Sequence, residues 1–161
     1  MFATRADLLA RSNAVRLAQL AVPADHEFPS ADQALRVFIE TGAHLSGLTV
    51  AERAGIVLAM DAIDRCLADA DALLISYGIP PGTQSTLLAR FSATVALYYL
   101  QGAERMTEDV QDAYESVLAL LDKFQKGTLP GLVPPEPSGL ADIQSGPSRY
   151  PPRFSVAGGD D

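Results

Sequence analysis

The sequence predicts an all-α protein: a small bundle of about four to five helices followed by an extended C-terminal arm rich in proline and glycine. Apolar residues repeat every three or four positions through most of residues 1–127, and no stretch alternates apolar and polar residues between hairpin turns. Residues 128–161 hold seven of the eleven prolines. At 161 residues and 48% hydrophobic content, the first part is large enough for one helical domain with its own core.

The first helix is predicted from Arg5 to about Ser12. Thr4 is a residue type that caps helix starts, and the acidic Asp7 favours the positive end of the helix. Residues 13–28 lose the helical spacing and include Pro23, so we expect mostly loop there.

Two further helices are predicted after this loop. Ser30 can cap a helix from Ala31 to about Thr41, which carries one apolar stripe of Leu35, Phe38 and Ile39. Thr49 and Glu52 form a capping-box pattern that opens the longest helix, which extends to about Tyr77. Its expected buried stripe is Ile56, Met60, Ile63, Leu67, Ala70 and Leu74. The charges between these positions mark a solvated or partner-facing side, and they are Asp61, Asp64, Arg65, Asp69 and Asp71.

The fourth and fifth helices complete the predicted bundle. The turn at residues 80–82 ends the long helix, and Ser85 or Thr86 opens a helix that continues to about Gln101. Arg90 is its only charged residue, so we expect it at the centre of the core. Thr107 is expected to cap a last helix at 108–126, with the apolar stripe Val110, Tyr114, Val117, Leu118, Leu121 and Phe124.

Composition argues against several classes of function. The net charge of −8 and the lack of a Lys/Arg cluster argue against binding nucleic acid through its phosphates. The first residues lack a signal-peptide core, and no apolar run approaches the roughly 20 residues that a membrane helix needs. We therefore expect a cytoplasmic protein with no membrane partner.

No residue pattern predicts catalysis, a metal site or a cofactor site. His26 and His44 are expected at the surface, and the single Cys66 is expected as a small buried apolar residue. Asp61 and Asp64 share a helical face and are the only carboxylates of the long helix that suggest a divalent cation, although a solvated acidic face is the simpler interpretation. Tyr98 and Tyr99 point about 100° apart on a helix, so we expect one in the core and one at its rim rather than a shared stacking surface.

The order of several segments resembles the Mu-like phage head-tail connector family. The resemblance covers about residues 1–10 and 58–130, and residues 22–57 depart from it because they are longer than the family's usual connection. The similar segments are MFATRADLLAR, DAIDRCLADADALLISYG, the proline turn, LLARFSATVALYYL, EDVQDAYESVLALLDKFQKGTL and, near the end, GPSRYPPRFS.

This resemblance implies a virion structural protein of the phage neck with no enzymatic activity. Such adaptors form a ring below the portal protein, commonly a dodecamer of copies of one chain, which joins the DNA-filled head to the tail. The implied partners are the portal, neighbouring copies, and stopper or tail-side neck proteins, while DNA passes through without sequence-specific binding. No cofactor is implied.

Two groups of residues are candidate sites in such a ring. Four arm residues are of the types enriched at the energetic centres of interfaces and are called the arm anchors: Arg149, Tyr150, Arg153 and Phe154. Four acids at the start of the last helix are candidates for a channel wall that repels DNA and are called the α6 acids: Glu108, Asp109, Asp112 and Glu115.

Other functions remain open from the sequence. A stopper or tail-completion protein is the nearest alternative, although such proteins are more often built on a small β-barrel. From another class, a soluble helical regulator that binds a protein through an apolar groove would have the same helical pattern. A metal-dependent hydrolase that uses Asp61 and Asp64 is the third alternative.

Overall fold

The computed structural model describes residues 1–22, 31–42, 47–102 and 105–128. Within these residues the chain forms six helices and no strand, which confirms the all-α prediction. The helices are α1 (Arg5–Arg11), α2 (Ala14–Ala21), α3 (Ala31–Thr41), α4 (Val50–Ser76), α5 (Thr86–Gln101) and α6 (Glu108–Gln125). None of the helices in the described part of the chain has the length and apolar character that crossing a membrane requires.

Helix α5 lies at the centre of the bundle, as predicted. It packs against α4, α6, α1 and, to a smaller extent, α2. A helix with one charged residue can be surrounded in this way because few of its side chains need water. Its buried residues lie around most of its circumference: Leu88, Phe91, Ser92, Ala93, Val95, Ala96, Leu97 and Gln101.

Helix α4 is the longest element and provides the main wall against α5. Its first turn is closed by the predicted capping box, in which the Thr49 hydroxyl accepts from the Glu52 N–H and the Glu52 carboxylate accepts from the Thr49 N–H. At 1.5 Å per residue its 27 residues extend about 40 Å. All six residues of its predicted stripe are buried: Ile56, Met60, Ile63, Leu67, Ala70 and Leu74.

Helix α4 ends in a turn that is fixed by one buried side chain. Gly78 adopts a φ of 87°, a conformation that side-chain-bearing residues rarely take. The Ile79 N–H then donates to the Leu74 carbonyl, and the Ile79 side chain is only 1% exposed. The predicted proline turn follows and leads the chain back into α5.

The two short N-terminal helices confirm one expectation and correct another. Helix α1 begins with a capping box between Thr4 and Asp7, as the sequence indicated. Residues 13–28 were expected to be mostly loop, but α2 occupies Ala14–Ala21, so this expectation was wrong for those residues. Asn13 caps α2 by accepting the Arg16 N–H at 2.7 Å. The buried stripe of α2 consists mostly of alanine, which gives a weak hydrophobic signal: Ala14, Leu17, Ala18 and Ala21.

Helices α3 and α6 pack on different helices of the bundle, α3 on α2, α1 and α4, and α6 on α5. Helix α3 has the predicted bounds and buries Leu35, while its capping candidate Ser30 lies outside the described residues. Helix α6 packs on α5 and buries Val117 and Leu121. Thr107 occupies the capping position of α6, but its hydroxyl accepts from the Arg16 guanidinium at 3.2 Å instead of capping the helix.

The position of α5 in the core predicts different effects for two adjacent leucines. Leu88 is 0% exposed and Leu87 is 40% exposed, so Leu88→Ala should lower the free energy of unfolding by about 2–5 kcal/mol. Leu87→Ala is the matched control and should cost about 0.5 kcal/mol or less. Urea unfolding followed by circular dichroism measures both values, and equal losses would contradict the placement of α5.

Candidate docking surfaces

The N-terminal segment is attached to α4 by a two-point ion pair. The Arg5 guanidinium donates through Nε to one carboxylate oxygen of Asp64 at 2.7 Å and through Nη2 to the other at 2.5 Å. These hydrogen bonds lower the pKa of Asp64 and raise the pKa of Arg5. Both side chains remain 39% exposed, so water screens the pair.

A second carboxylate of α4 connects the N-terminal segment to α5. Asp71 accepts the Phe2 N–H with both oxygens at 3.1 Å and the Ser92 hydroxyl at 2.9 Å. Ser92 is fully buried, so this hydrogen bond satisfies a hydroxyl that would otherwise be costly in the core. Asp64 and Asp71 therefore hold the chain's own N-terminal segment, although the sequence indicated a solvated or partner-facing side.

The contact of Arg5 with Asp64 bears on the candidate metal site at Asp61 and Asp64. Asp64 is engaged by Arg5, and the part of the chain described by the structure contains no group of three or more His, Cys, Asp or Glu side chains that could hold a metal ion. His26 and His44 lie outside the described residues. Cys66 is half-buried rather than fully buried, and burial raises the pKa of its thiol, with a smaller effect from Asp69.

The α6 acids form an exposed surface at the start of their helix. Each of the four is exposed, and none forms an ion pair with a described residue. Their one described side-chain contact is a hydrogen bond of 3.0 Å from the Gln111 amide to Glu115. The opposite side of α6, which holds Val117 and Leu121, packs into the bundle. The candidate channel-wall residues are therefore free to face a partner or a channel.

Three tyrosines contact one another where α5 and α6 meet, and Tyr77, which follows α4, lies near Tyr114. We call the four the tyrosine cluster: Tyr77, Tyr98, Tyr99 and Tyr114. The rings of Tyr98 and Tyr114 stack with centroids 3.8 Å apart and an angle of 9° between their planes. Tyr99 meets Tyr98 edge-on with centroids 6.0 Å apart. Tyr98 and Tyr99 are both half-buried and share one aromatic surface through Tyr114, so the expectation of one core and one rim tyrosine was wrong.

Burial raises the pKa of two tyrosines of the cluster, Tyr99 and Tyr77. Burial, followed by Tyr114 and Asp69, raises the pKa of Tyr99 to about 12. Burial also raises the pKa of Tyr77, with a smaller effect from the nearby charge of Asp122. Both carboxylates are exposed, so acidic groups flank the aromatic surface. Sequence spacing could not reveal this cluster because its members come from three separate elements.

A second feature is a groove of about 270 Å³ between α1 and α5. Arg11 and Arg90 both line it, and neither makes an ion pair among the described residues. The pKa of Arg11 is lowered by burial and by the charge of Arg90. Asp7 lines the same groove, so its two arginines stand beside one carboxylate.

The arm anchors lie outside the described residues, as does everything after Thr128. The boundary between the helical domain at 1–127 and the arm at 128–161 therefore stays a prediction. All the buried residues described in the structure belong to residues 2–121.

Comparison with known proteins gives one family. The family model described as Bacteriophage Mu, Gp36 matches residues 2–138. The match includes residues 22–57, which the sequence had suggested as a departure, and it ends before the arm anchors. No curated protein and no solved structure matches the chain significantly.

The ion pair between Arg5 and Asp64 predicts a stability contribution that depends on pH. Asp64→Asn should lower the free energy of unfolding at pH 7 by about 1 kcal/mol or less because both side chains are well exposed. The pKa of Asp64 is lowered in the folded state, so this contribution is present above the unfolded-state pKa of about 3.9 and is lost as pH falls through the folded-state pKa.

Urea unfolding between pH 7 and pH 2 measures this dependence. The difference between wild type and Asp64→Asn should shrink toward the acidic end. Asp61→Asn, an exposed acid on the same helix, is the matched control and should show a smaller difference at pH 7. A deficit of Asp64→Asn that does not change with pH would contradict the ion pair as its source.

Proposed function

Because the chain belongs to the bacteriophage Mu Gp36 family, we propose that it is a head-to-tail adaptor of the phage neck. Family membership itself indicates a phage structural or assembly protein, and the match over residues 2–138 is the observation that carries the proposal. In this role copies of the chain form a ring, a dodecamer in the simplest case, below the portal protein. The ring joins the DNA-filled head to the tail and lets DNA pass.

The architecture of the described residues supports an adaptor over the neighbouring stopper position. Stopper proteins are more often built on a small β-barrel, whereas the described residues form six helices. Asp64 and Asp71, two acids of α4 with described partners, bind groups of the chain itself: Asp64 binds Arg5, and Asp71 binds Ser92. We propose that the chain acts by docking, without catalysis, a metal or another cofactor.

The arm is proposed to make the contacts that a compact bundle cannot reach. A domain of this size has a radius of gyration of about 14 Å. Residues 128–161 in a polyproline conformation would extend roughly 100 Å, which is enough to cross onto neighbouring subunits. Repeated around a ring, contacts of about 1 kcal/mol each act together because tethered copies bind at high effective concentration.

The α6 acids are proposed to line the channel. They are exposed and free of ion pairs among the described residues, so no described cation neutralises their charges. A ring of such carboxylates would repel the phosphates of passing DNA and keep it from adhering. This role agrees with the net charge of −8.

Imaging of the protein mixed with the portal tests the proposed function. Negative-stain electron microscopy should show ring-shaped density added to one end of the portal. A chain that stays monomeric and does not bind the portal would contradict the adaptor role and favour a soluble regulator.

Truncation after Gly139 tests the arm in the same system. The truncated chain should keep its helical circular dichroism, because every described buried residue lies before Asp122, but it should fail to join heads to tails. Truncation after Val156 keeps the arm anchors and is the matched control, which should assemble. Normal virions from the Gly139 truncation would remove the arm from the proposal.

Neutralisation of the α6 acids tests the channel wall. Replacing all four with Asn or Gln should slow DNA ejection or make it salt-sensitive, because the passing phosphates would no longer be repelled. The measurement is the rate of DNA release from assembled particles at low and high salt. A variant in which Glu40 and Asp61 are neutralised instead is the control. An unchanged ejection rate in the α6 variant would contradict the proposal that the α6 acids line the channel.

A further inference from the structure

The tyrosine cluster has the properties of a docking surface rather than of a core. All four of its tyrosines are half-buried, so the rings are held in place by packing and still present surface to a partner. Tyrosine supplies a large contact area with little loss of conformational freedom, and it is enriched at the energetic centres of interfaces. A rigid aromatic surface of this kind loses little entropy when it binds.

The charges around the cluster indicate the kind of ligand that it fits. Asp69 lies close enough to Tyr99, and Asp122 close enough to Tyr77, to act on those hydroxyls. Both carboxylates are exposed, and neither has an ion pair among the described residues. The surface therefore offers the exposed parts of packed tyrosine rings with carboxylates beside them.

Arginine and proline are the side chains that such a surface recognises best. A guanidinium stacks on an aromatic face and donates two hydrogen bonds to a carboxylate. Proline in an extended conformation packs between aromatic rings, which is the basis of polyproline recognition. Residues 149–154 of this chain have the sequence RYPPRF, which combines two arginines, two prolines and two aromatics.

We propose that the tyrosine cluster is the docking site for residues 149–154 of another copy of this chain. The inference rests on the proposed ring, in which each copy would give one arm and receive one. Residues 129–148 would span roughly 60 Å in a polyproline conformation, and proline-rich spacers resist folding back on their own domain. A spacer of this length would reach a neighbouring subunit, and the mixing experiment below separates that contact from docking on the arm's own domain.

Peptide binding tests the recognition. A full-length chain in which the four arm anchors are replaced by alanine leaves the cluster without its own ligand. A fluorescent peptide of residues 145–156 should bind this arm variant at least about tenfold more tightly than a scrambled peptide does, as measured by fluorescence anisotropy. Equal binding of the two peptides would overturn the proposal.

Further substitutions in the arm variant test whether the peptide binds at the tyrosine cluster. Asp69→Lys should weaken binding at least about tenfold, and a peptide with Arg149→Glu and Arg153→Glu should recover affinity for it. Asp61→Lys makes the same charge change on the same helix away from the cluster and should bind the normal peptide unchanged. Tyr98→Leu should also weaken binding while circular dichroism stays constant. Equal effects of Asp69→Lys and Asp61→Lys would show that binding follows net charge and would overturn the assignment.

Mixing two defective chains tests whether the contact joins different copies. The arm variant and a full-length Tyr98→Leu chain should each fail to self-associate, whereas a mixture should form pairs in sedimentation velocity. A peptide that binds while the mixture does not pair would overturn docking between copies. If the chain binds the portal but the arm does not dock on the cluster, this inference is refuted and the adaptor role is retained. If the arm docks on the cluster but the chain does not bind the portal, the adaptor role is refuted and the docking contact is retained.

Discussion

The burial of α5 is the constraint on which the rest of the structure depends. A helix with one charge and apolar residues around most of its circumference is stable in water only if other helices cover it. Helix α4 covers one side, α6 another, and α1 with α2 a third. Helix α3 lies outside this layer, since it packs on α2, α1 and α4 rather than on α5.

The N-terminal segment is fixed to this core by charge rather than by apolar area alone. Asp64 and Asp71 lie seven residues apart, two turns of α4, and therefore share one side of the helix. One accepts the Arg5 guanidinium and the other accepts the Phe2 N–H together with the buried Ser92 hydroxyl. These contacts give a structural reason for the opening segment that the sequence resemblance singled out.

In the proposed adaptor, the helical domain at 1–127, here called the body, and the arm at 128–161 have different tasks. The body supplies three surfaces: the tyrosine cluster, the α6 acids and the groove lined by Arg11 and Arg90. In the proposal the arm would supply reach, and its arginines and aromatics would complement a protein of net charge −8. Many weak contacts of this kind become strong only when copies are held side by side, so assembly and docking would reinforce each other.

The sequence by itself determined the helices, because caps and three-to-four-residue spacing are local properties. The capping boxes at Thr4 and Thr49, the stripes of α3, α4 and α6, and the central position of α5 could be predicted. The alanine-rich α2 could not, since alanine gives too weak a hydrophobic pattern. Only the tertiary structure decided the partners of Asp64 and Asp71 and the joining of Tyr98 to Tyr114. Those contacts link residues far apart in the chain, and local periodicity has no information about which helix faces pack together.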